Sequence, residues 1–370
     1  MATSVMSVAD LQRLLDTLSE QGREIIGPTV RDGAIVYERV HSIQELPIGY
    51  RESQGGGYYR LTSTSDNSLF AYTMGPQSWK RHLLPAEHRV LEATRKGRGF
   101  SVATDADDPP QMAFLGVRAC EVAAIAALDK ALLEGPHVSE PYRKRRERTL
   151  IIAVNCTCAG DTCFCASMGT GPRVRGGHDI LLTEPYEVQP GVCLAQSGSE
   201  QGQALLDSLG LAEATDAQIA AADEAVAAAA TSMGRTLQTE KLPEILREAL
   251  SDTHWDEIAE RCLSCGNCTM VCPTCFCSTV VDSTDISGRL ATRTMKWDSC
   301  HTLDFSYIHG GSVRTSAMAR YRQWMMHKLC YWTEQFGAFG CVGCGRCIVW
   351  CPVGIDITEE AARFRTKVSR

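Results

Sequence analysis

Two cysteine-rich stretches near the C-terminal end of the chain decide how the whole sequence is interpreted. The first reads Cys262-Leu-Ser-Cys265-Gly-Asn-Cys268-Thr-Met-Val-Cys272-Pro273, and the second reads Cys341-Val-Gly-Cys344-Gly-Arg-Cys347-Ile-Val-Trp-Cys351-Pro352. Both have the spacing C-x2-C-x2-C-x3-C-P, which holds [4Fe–4S] clusters in bacterial ferredoxins. The spacing therefore predicts two [4Fe–4S] clusters in this part of the chain.

The fourth cysteine of each run is expected to bind the cluster of the other run, as in two-cluster ferredoxins. The predicted ligands of cluster 1 are Cys262, Cys265, Cys268 and Cys351. The predicted ligands of cluster 2 are Cys341, Cys344, Cys347 and Cys272. Gly266, Gly343 and Gly345 lie between these cysteines, and the lack of a side chain there lets the backbone approach the inorganic core.

Two other roles for the cysteines are less favoured. Structural zinc also uses four thiolates, but typically from two separated C-x2-4-C pairs, whereas each run here is a complete set of four ending in Cys-Pro. A disulfide framework is typical of short secreted chains, and this chain has 370 residues.

Length and composition predict a soluble, cytoplasmic protein of two or three domains. The sequence begins without the apolar segment of a signal peptide and has no apolar run long enough to span a membrane. Its 18 cysteines are then expected to stay reduced and available for metal. A net charge of −7 argues against binding to nucleic acid.

The sequence pattern predicts an N-terminal α/β domain over residues 1–240 and a ferredoxin-like dicluster domain over residues 241–370, a mixed α+β and α/β architecture. The second domain is expected to carry a long helical insertion, residues 273–340, between the two cysteine runs. In the first domain, a strand from Gln111 to Val117, a helix from Glu121 to Leu133 and a strand from Thr149 to Val154 predict a parallel strand pair. A helix is also expected from Val8 to Glu20, with Asp10 as its cap.

A third [4Fe–4S] cluster is predicted in the N-terminal domain. Cys120 and Cys156 each follow one of the two parallel strands, so both thiols are expected at the same end of the sheet. Cys163 and Cys165 return to that end from a short loop and complete the predicted set. The alternative is that these are buried thiols plus a reactive pair. Cys158 and Cys193 are reserve ligands.

The remaining cysteines have no spacing that demands metal, and we interpret them as packed thiols: Cys275, Cys277, Cys300 and Cys330. The repeated Thr-Cys-Phe-Cys at 162–165 and 274–277 keeps a metal role open. A long helix is expected from about Arg314 to Phe336. Its basic residues either face solvent or offset the charge of reduced clusters: Arg320, Arg322, His327 and Lys328.

Three stretches carry a resemblance to a known family: Gly116-Val-Arg-Ala-Cys120-Glu, the stretch from Asn155 through Thr162-Cys-Phe-Cys-Ala-Ser-Met-Gly-Thr-Gly-Pro172, and the C-terminal part from Cys262 to Asp356. Over nearly its whole length the chain resembles the beta (iron–sulfur) subunit of cytoplasmic NAD(P)-linked [NiFe] hydrogenases, also called sulfhydrogenases. It is similar over the same span to the electron-transfer subunit of anaerobic sulfite reductase. Cys158 departs from the pattern of these proteins.

The resemblance implies a non-catalytic electron-transfer subunit of a hetero-oligomer. Its partners would be a flavin subunit that binds NAD(P)H and the small and large subunits of a [NiFe] hydrogenase. Two alternatives remain: the same role beside the siroheme subunit of a sulfite reductase, and a scaffold with purely structural clusters. The sequence contains no G-x-G-x-x-G after a strand and no P-loop, which agrees with a chain that carries electrons without its own substrate site. Such a chain is expected to contact partners on at least two faces.

Overall fold

A computed structural model describes residues 3–104 and 108–368 of the chain. Up to residue 231 the strands are β1 Ser4–Ser7, β2 Glu24–Arg31, β3 Ala34–Arg39, β4 Tyr50–Gly55, β5 Tyr58–Ser63, β6 Glu87–Lys96, β7 Gly99–Thr104, β8 Met112–Arg118, β9 Thr149–Val154, β10 Ile180–Thr183 and β11 Val192–Ser197. The helices in this part are α1 Val8–Glu20, α2 Lys80–Leu83, α3 Ala119–Leu133, α4 Glu140–Glu147, α5 Cys165–Met168, α6 Glu200–Leu209 and α7 Asp216–Thr231, with a 3-10 turn at Ile43–Glu45.

The rest of the chain is mainly helical. Its helices are α8 Leu242–Glu248, α9 His254–Arg261, α10 Asn267–Met270, α11 Ala317–Met326, α12 Trp332–Phe336, α13 Arg346–Val349 and α14 Ile357–Val368, with 3-10 turns at Ala249–Ser251 and Leu303–Ser306 and a π-helical segment at His327–Tyr331. Its strands are β12 Ser278–Thr284, β13 Leu290–Trp297, β14 Tyr307–Ile308 and β15 Gly311–Ser312. In the described part of the chain, no helix has the length and apolar character that crossing a membrane requires.

The central sheet of the N-terminal part has the strand order β1-β11-β10-β9-β8-β2-β3 in the described residues. Strands β2, β8, β9 and β10 run parallel, and the outer strands pair antiparallel. Every residue of β8 and β9 is buried, as expected for parallel strands covered on both faces. The predicted strand–helix–strand unit is therefore confirmed, with α3 as its crossover helix.

The predicted cap of α1 is wrong by three residues. Ser7 is the N-cap: its hydroxyl accepts a hydrogen bond from the Asp10 N–H at 3.2 Å, and the Asp10 carboxylate accepts one from the Ser7 N–H at 2.9 Å. Asp10 is thus the second half of a capping box, in which an acidic side chain at the third helical position closes back on the cap.

The insertion between the cysteine runs is only partly helical, which corrects the prediction of a helical insertion over 273–340. It begins with the hairpin β12–β13, where Ser278-Thr-Val-Val-Asp-Ser-Thr284 is rich in residues that favour strands. Strand β13 pairs with β6, so the hairpin joins a sheet of order β12-β13-β6-β7 that links the two parts of the chain. The helical part then runs from α11 through the π-helical segment to α12, close to the predicted range. The domain boundary near residue 240 stays a prediction.

Candidate metal centres

The first group of cysteines, which we call site 1, consists of Cys262, Cys265, Cys268 and Cys351. These four line one cavity of about 430 Å³ together with His301, Tyr321 and Trp324. Helix α9 ends just before Cys262, the short helix α10 carries Cys268, and Cys351 follows α13 from the other run. The fold therefore brings the fourth cysteine of the second run to the first three cysteines of the first run.

Hydrogen-bond donors point at the sulfur atoms of site 1. The backbone N–H of Ser264 donates to Cys262 Sγ at 3.4 Å, and that of Ile355 donates to Cys351 Sγ at 3.3 Å. Cys268 Sγ lies 3.4 Å from His301 Nε2. Burial lowers the pKa of His301 to about 4, so this imidazole is neutral at pH 7. Such outer contacts orient thiolate ligands and stabilise their charge.

The second group, site 2, consists of Cys341, Cys344, Cys347 and Cys272. Burial raises the pKa of Cys347 well above its ordinary value. Negative charge on Cys341, Cys344 and Cys272 raises it further, so these cysteines lie close to Cys347. Burial likewise raises the pKa of Cys341 to about 12. The fold thus brings Cys272 from the first run to the second run, which is the reciprocal half of the predicted crossed arrangement.

Two buried cations lie at site 2. Lys328 is 5% exposed, and its ammonium donates to Cys272 Sγ at 3.1 Å and to Thr274 Oγ1 at 3.0 Å. Burial alone lowers the pKa of Lys328, but the negative charges of Cys272 and Cys275 raise it well above its ordinary value. The guanidinium of Arg346 is fully enclosed and forms a buried ion pair with Glu121. Of the basic residues noted on the long helix, Lys328 is therefore placed to offset the charge of a cluster.

The third group, site 3, is the predicted N-terminal set. Its members line one cavity of about 320 Å³: Cys120, Cys156, Cys163 and Cys165. Cys120 lies in the first turn of α3 directly after β8, and Cys156 follows β9, so the carboxyl ends of two parallel strands bring them together. Cys158 lines the same cavity. Cys193, the other reserve ligand, lies instead in β11 within a hydrophobic core formed by α1, α6 and the sheet, and is not at this site.

A buried arginine that sequence reasoning missed accompanies site 3. Arg118 donates from Nη2 to the carbonyl oxygens of Phe70 at 2.7 Å and Tyr72 at 2.8 Å, and its Nη1 lies 3.9 Å from Cys156 Sγ. Burial by itself lowers the pKa of Arg118, but negative charge on Cys156 keeps it above its ordinary value. Its position two residues before Cys120 was the signal available in the sequence.

The donors at these sites fit an iron–sulfur cluster. Burial raises the pKa of Cys120 well above its ordinary value and that of Cys163 to about 12, so the bare thiols hold their protons at pH 7. Metal-bound thiols are deprotonated, and a buried cation beside them compensates the resulting charge. Among residues 3–104 and 108–368, no three His, Cys, Asp or Glu side chains converge on a single-ion site. A cubane spaces its thiolates more widely, because iron and sulfide atoms stand between them.

Site 3 and site 2 lie against each other. The Phe164 N–H donates to the Gly343 carbonyl oxygen at 2.8 Å, and Thr170 Oγ1 donates to the Val342 carbonyl oxygen at 2.7 Å. A Cβ atom on Gly343, whose φ is +65°, would lie 2.7 Å from the backbone of Cys165. This glycine is therefore needed for close approach of the site 3 loop. That it also lets the backbone approach the inorganic core stays a prediction.

Electrostatic effects between cysteines indicate which of the three sites are neighbours. Cys347 of site 2 also lines the cavity of site 1, and negative charge on Cys268 contributes to its raised pKa. On the other side, negative charge on Cys344 of site 2 contributes to the raised pKa of both Cys120 and Cys165. Site 2 is thus the middle member, with site 1 and site 3 on either side of it.

Of the remaining cysteines, one is a packed thiol and three lie next to another cysteine. Cys330 is fully buried in the core of the C-terminal part, as expected for a packed thiol. Cys275 contacts Cys272 by a thiol hydrogen bond, which is the first cause of the lowered pKa of Cys272. Cys277 and Cys300 contact each other at the side of an open cavity, and this pairing was not expected from the sequence.

Comparison with known proteins agrees with these sites. Residues 261–355 match the family described as a 4Fe-4S dicluster domain. The chain is 30% identical over 351 residues to sulfhydrogenase 2 subunit beta of Pyrococcus furiosus, covering 92% of this chain and 91% of that protein. No solved structure matches the chain. The dicluster domain confirms [4Fe–4S] clusters in the C-terminal part, and the identity over nearly the full length of both proteins shows that this chain belongs to the family of sulfhydrogenase beta subunits.

Proposed function

We propose that this chain carries electrons through three [4Fe–4S] clusters within a hydrogenase-type complex. The observation that supports it most directly is the row of three four-cysteine sites with site 2 in the middle. A [4Fe–4S] cluster supplies one-electron transfer without bond rearrangement in the protein. Adjacent sites of this kind serve to pass electrons across the chain.

The ligands in this proposal follow the three sites. Site 1 is held by Cys262, Cys265, Cys268 and Cys351; site 2 by Cys341, Cys344, Cys347 and Cys272; and site 3 by Cys120, Cys156, Cys163 and Cys165. Cys158 lines the site 3 cavity but takes no ligand position in the proposal, because it departs from the pattern of similar proteins.

The chain's own residues then surround the sites and supply positive charge at two of them. Lys328 and Arg346 supply positive charge at site 2, and Arg118 does so at site 3. The reduced state of a cluster carries more negative charge than the oxidised state, so a fixed cation favours reduction. In a buried setting that attraction is stronger than at a surface because water screens it less.

The proposed partners are those that the resemblance implies: a flavin subunit that binds NAD(P)H at one end of the row, and the small and large subunits of a [NiFe] hydrogenase at the other. The Pyrococcus furiosus relative is named as a subunit of a sulfhydrogenase. That name supports a hetero-oligomer and favours the hydrogenase over the sulfite reductase alternative.

The test is to measure the iron and sulfide content of the anaerobically purified chain and of the variant Cys163→Ala. We expect three clusters' worth of iron, falling to two in the variant, because Cys163 is a ligand of site 3 alone. The control is Cys330→Ala, which removes a buried thiol outside all three sites and is expected to leave iron unchanged.

Electron paramagnetic resonance of the remaining clusters shows whether Cys163→Ala is still folded. Signals of two unperturbed clusters, together with loss of the third, support the proposal. Iron for only two clusters in the unmodified chain, unchanged by the substitution, contradicts the third site.

A further inference from the structure

The thiols of Cys277 and Cys300 meet where the hairpin β12–β13 joins the helical part. Ser278 and Trp297 are paired residues at this end of the hairpin, and the Asp298 N–H donates to the Cys277 carbonyl oxygen at 2.9 Å, which extends the pairing by one position. Cys300 therefore lies next to Cys277, close enough that hydrogen bonding from Cys300 affects the pKa of the Cys277 thiol. Strand pairing therefore holds two free thiols side by side at one end of the hairpin.

The pair is reachable from solvent. Both cysteines are partly exposed and line an open cavity of about 820 Å³, whose other walls include Phe276, Arg314 and His327. Neither residue belongs to site 1, site 2 or site 3. A packed structural thiol would be enclosed by apolar side chains, as Cys330 is.

The surroundings also distinguish the two sulfur atoms. The hydrogen bond from Cys300 lowers the pKa of Cys277 to about 7, and the positive charges of Lys328 and Lys80 act in the same direction against the opposing effect of burial. The same hydrogen bond raises the pKa of Cys300. Cys277 is thus suited to attack a disulfide, since a nucleophilic thiol reacts best when its pKa is near the ambient pH. Cys300 is suited to displace the product from Cys277 in a second step.

We propose that Cys277 and Cys300 form a redox-active dithiol–disulfide pair that reacts with low-molecular-weight disulfides entering this cavity. The Cys277 thiolate attacks one sulfur of the small disulfide, which forms a mixed disulfide and releases the first thiolate. Cys300 then loses its proton to solvent and attacks Cys277 Sγ, which forms the Cys277–Cys300 bond and releases the second thiolate. The small disulfide gains two electrons and the protein dithiol loses two, so the exchange balances, and small thiols reverse it.

The position of the pair connects this reactivity with the metal centres. His301, the next residue after Cys300, has its ring nitrogen 3.4 Å from Cys268 Sγ of site 1. Lys328, whose charge acts on Cys277, donates to Cys272 Sγ of site 2. The pair therefore lies beside ligands of two neighbouring sites while remaining open to solvent, a position suited to exchange between a soluble two-electron couple and the protein.

The test equilibrates the anaerobic, cluster-loaded protein with mixtures of reduced and oxidised glutathione. Acid quenching, alkylation with one mass tag, reduction and alkylation with a second tag then identify by peptide mass which thiols were joined. We expect Cys277 and Cys300 to acquire the second tag together and reversibly, with the ratio of disulfide to dithiol changing tenfold per about 30 mV, as a two-electron couple requires. The variants Cys277→Ala and Cys300→Ala abolish that signal, whereas Cys330→Ala leaves it unchanged.

Iron content measured on the same samples separates this proposal from the proposed electron-transfer function. Iron that is unchanged in both variants, with the paired tagging lost, supports the proposal. If both thiols take the first tag at every glutathione ratio while the clusters are present, the pair is not redox-active. If Cys277→Ala loses one cluster's worth of iron, the residue is a metal ligand and the proposal is overturned.

Discussion

At the scale of single residues, burial decides the chemistry of the three sites. Burial raises the pKa of enclosed thiols such as Cys120 and Cys341, so the chain alone holds these two protonated at pH 7. Fixed cations at the same places, Arg118 and Lys328, are costly to bury unless negative charge accompanies them. A buried thiolate and a buried cation are each unfavourable alone. Together they suit an anionic centre that forms only when iron binds.

Replacing Lys328 by Met tests this balance at site 2. The ammonium donates to Cys272 Sγ, and charge-assisted hydrogen bonds of this kind contribute about 1.5–3 kcal/mol. Its loss removes stabilisation mainly from the more negative, reduced state, so we expect a more negative potential. A shift on the order of 60 mV corresponds to a tenfold change in a one-electron equilibrium.

A redox titration followed by electron paramagnetic resonance measures the effect of Lys328→Met. The matched control is Lys96→Met, which removes an exposed lysine of β6. An unchanged or more positive potential in the Lys328 variant would show that this ammonium does not act on the cluster.

At the scale of elements, short helices and loops exchange cysteines between the two runs. Helix α10 carries Cys268 into site 1, and Cys272 beyond its end lies with site 2. Helix α13 does the reverse, since it carries Cys347 of site 2 and is followed by Cys351 of site 1. Each run therefore holds part of both sites, and neither site is complete without the other run.

This exchange predicts opposite effects for two matched substitutions. Cys272→Ser is expected to perturb the cluster bound by the second run, and Cys351→Ser the cluster bound by the first run, because a serine oxygen is a poorer ligand for iron than a thiolate. Electron paramagnetic resonance of both variants distinguishes the two clusters. If each variant alters the cluster nearest to it in sequence, the crossed arrangement is wrong.

At the scale of the whole molecule, two parts of the chain build one row of sites. The site 3 loop contacts the second cysteine run at Gly343, and the sheet β12-β13-β6-β7 joins the insertion to the N-terminal part. Lys80 adds a further link, because its ammonium donates to the Cys275 carbonyl oxygen 195 positions away at 2.9 Å and lies 4.0 Å from the centre of the Trp297 ring. These links hold site 3 against site 2.

A purified chain freed of its partners is expected to accept electrons but not to turn over substrate. Dithionite should reduce its clusters, whereas hydrogen uptake and NAD(P)H oxidation should both be absent, since the sequence has no nucleotide-binding or nickel-binding motif. Absorbance and gas-exchange assays measure these activities, with the intact complex as the positive control. Turnover of either kind by the single chain would contradict its assignment as an electron carrier.

The sequence alone determined the features that depend on local spacing. The complete spacing C-x2-C-x2-C-x3-C-P predicted the two cluster runs. The strands before Cys120 and Cys156 predicted where those two thiols meet, because the carboxyl ends of parallel strands share one edge. The parallel pair β8–β9 and the helical stretch after residue 314 followed from such patterns and are confirmed. Membership of the sulfhydrogenase family, which the resemblance implied, is confirmed as well. The ligand sets stay predictions that the geometry supports.

Tertiary structure alone decided the features that depend on distant partners. The hairpin β12–β13 was expected to be helical, and its pairing with β6 could not be read from either segment because register depends on the partner strand. The cations Arg118 and Lys328 and the close approach at Gly343 likewise depend on which loops meet in space. The contact between Cys277 and Cys300 belongs to the same class, since it exists only because strand pairing brings the two ends of the hairpin together.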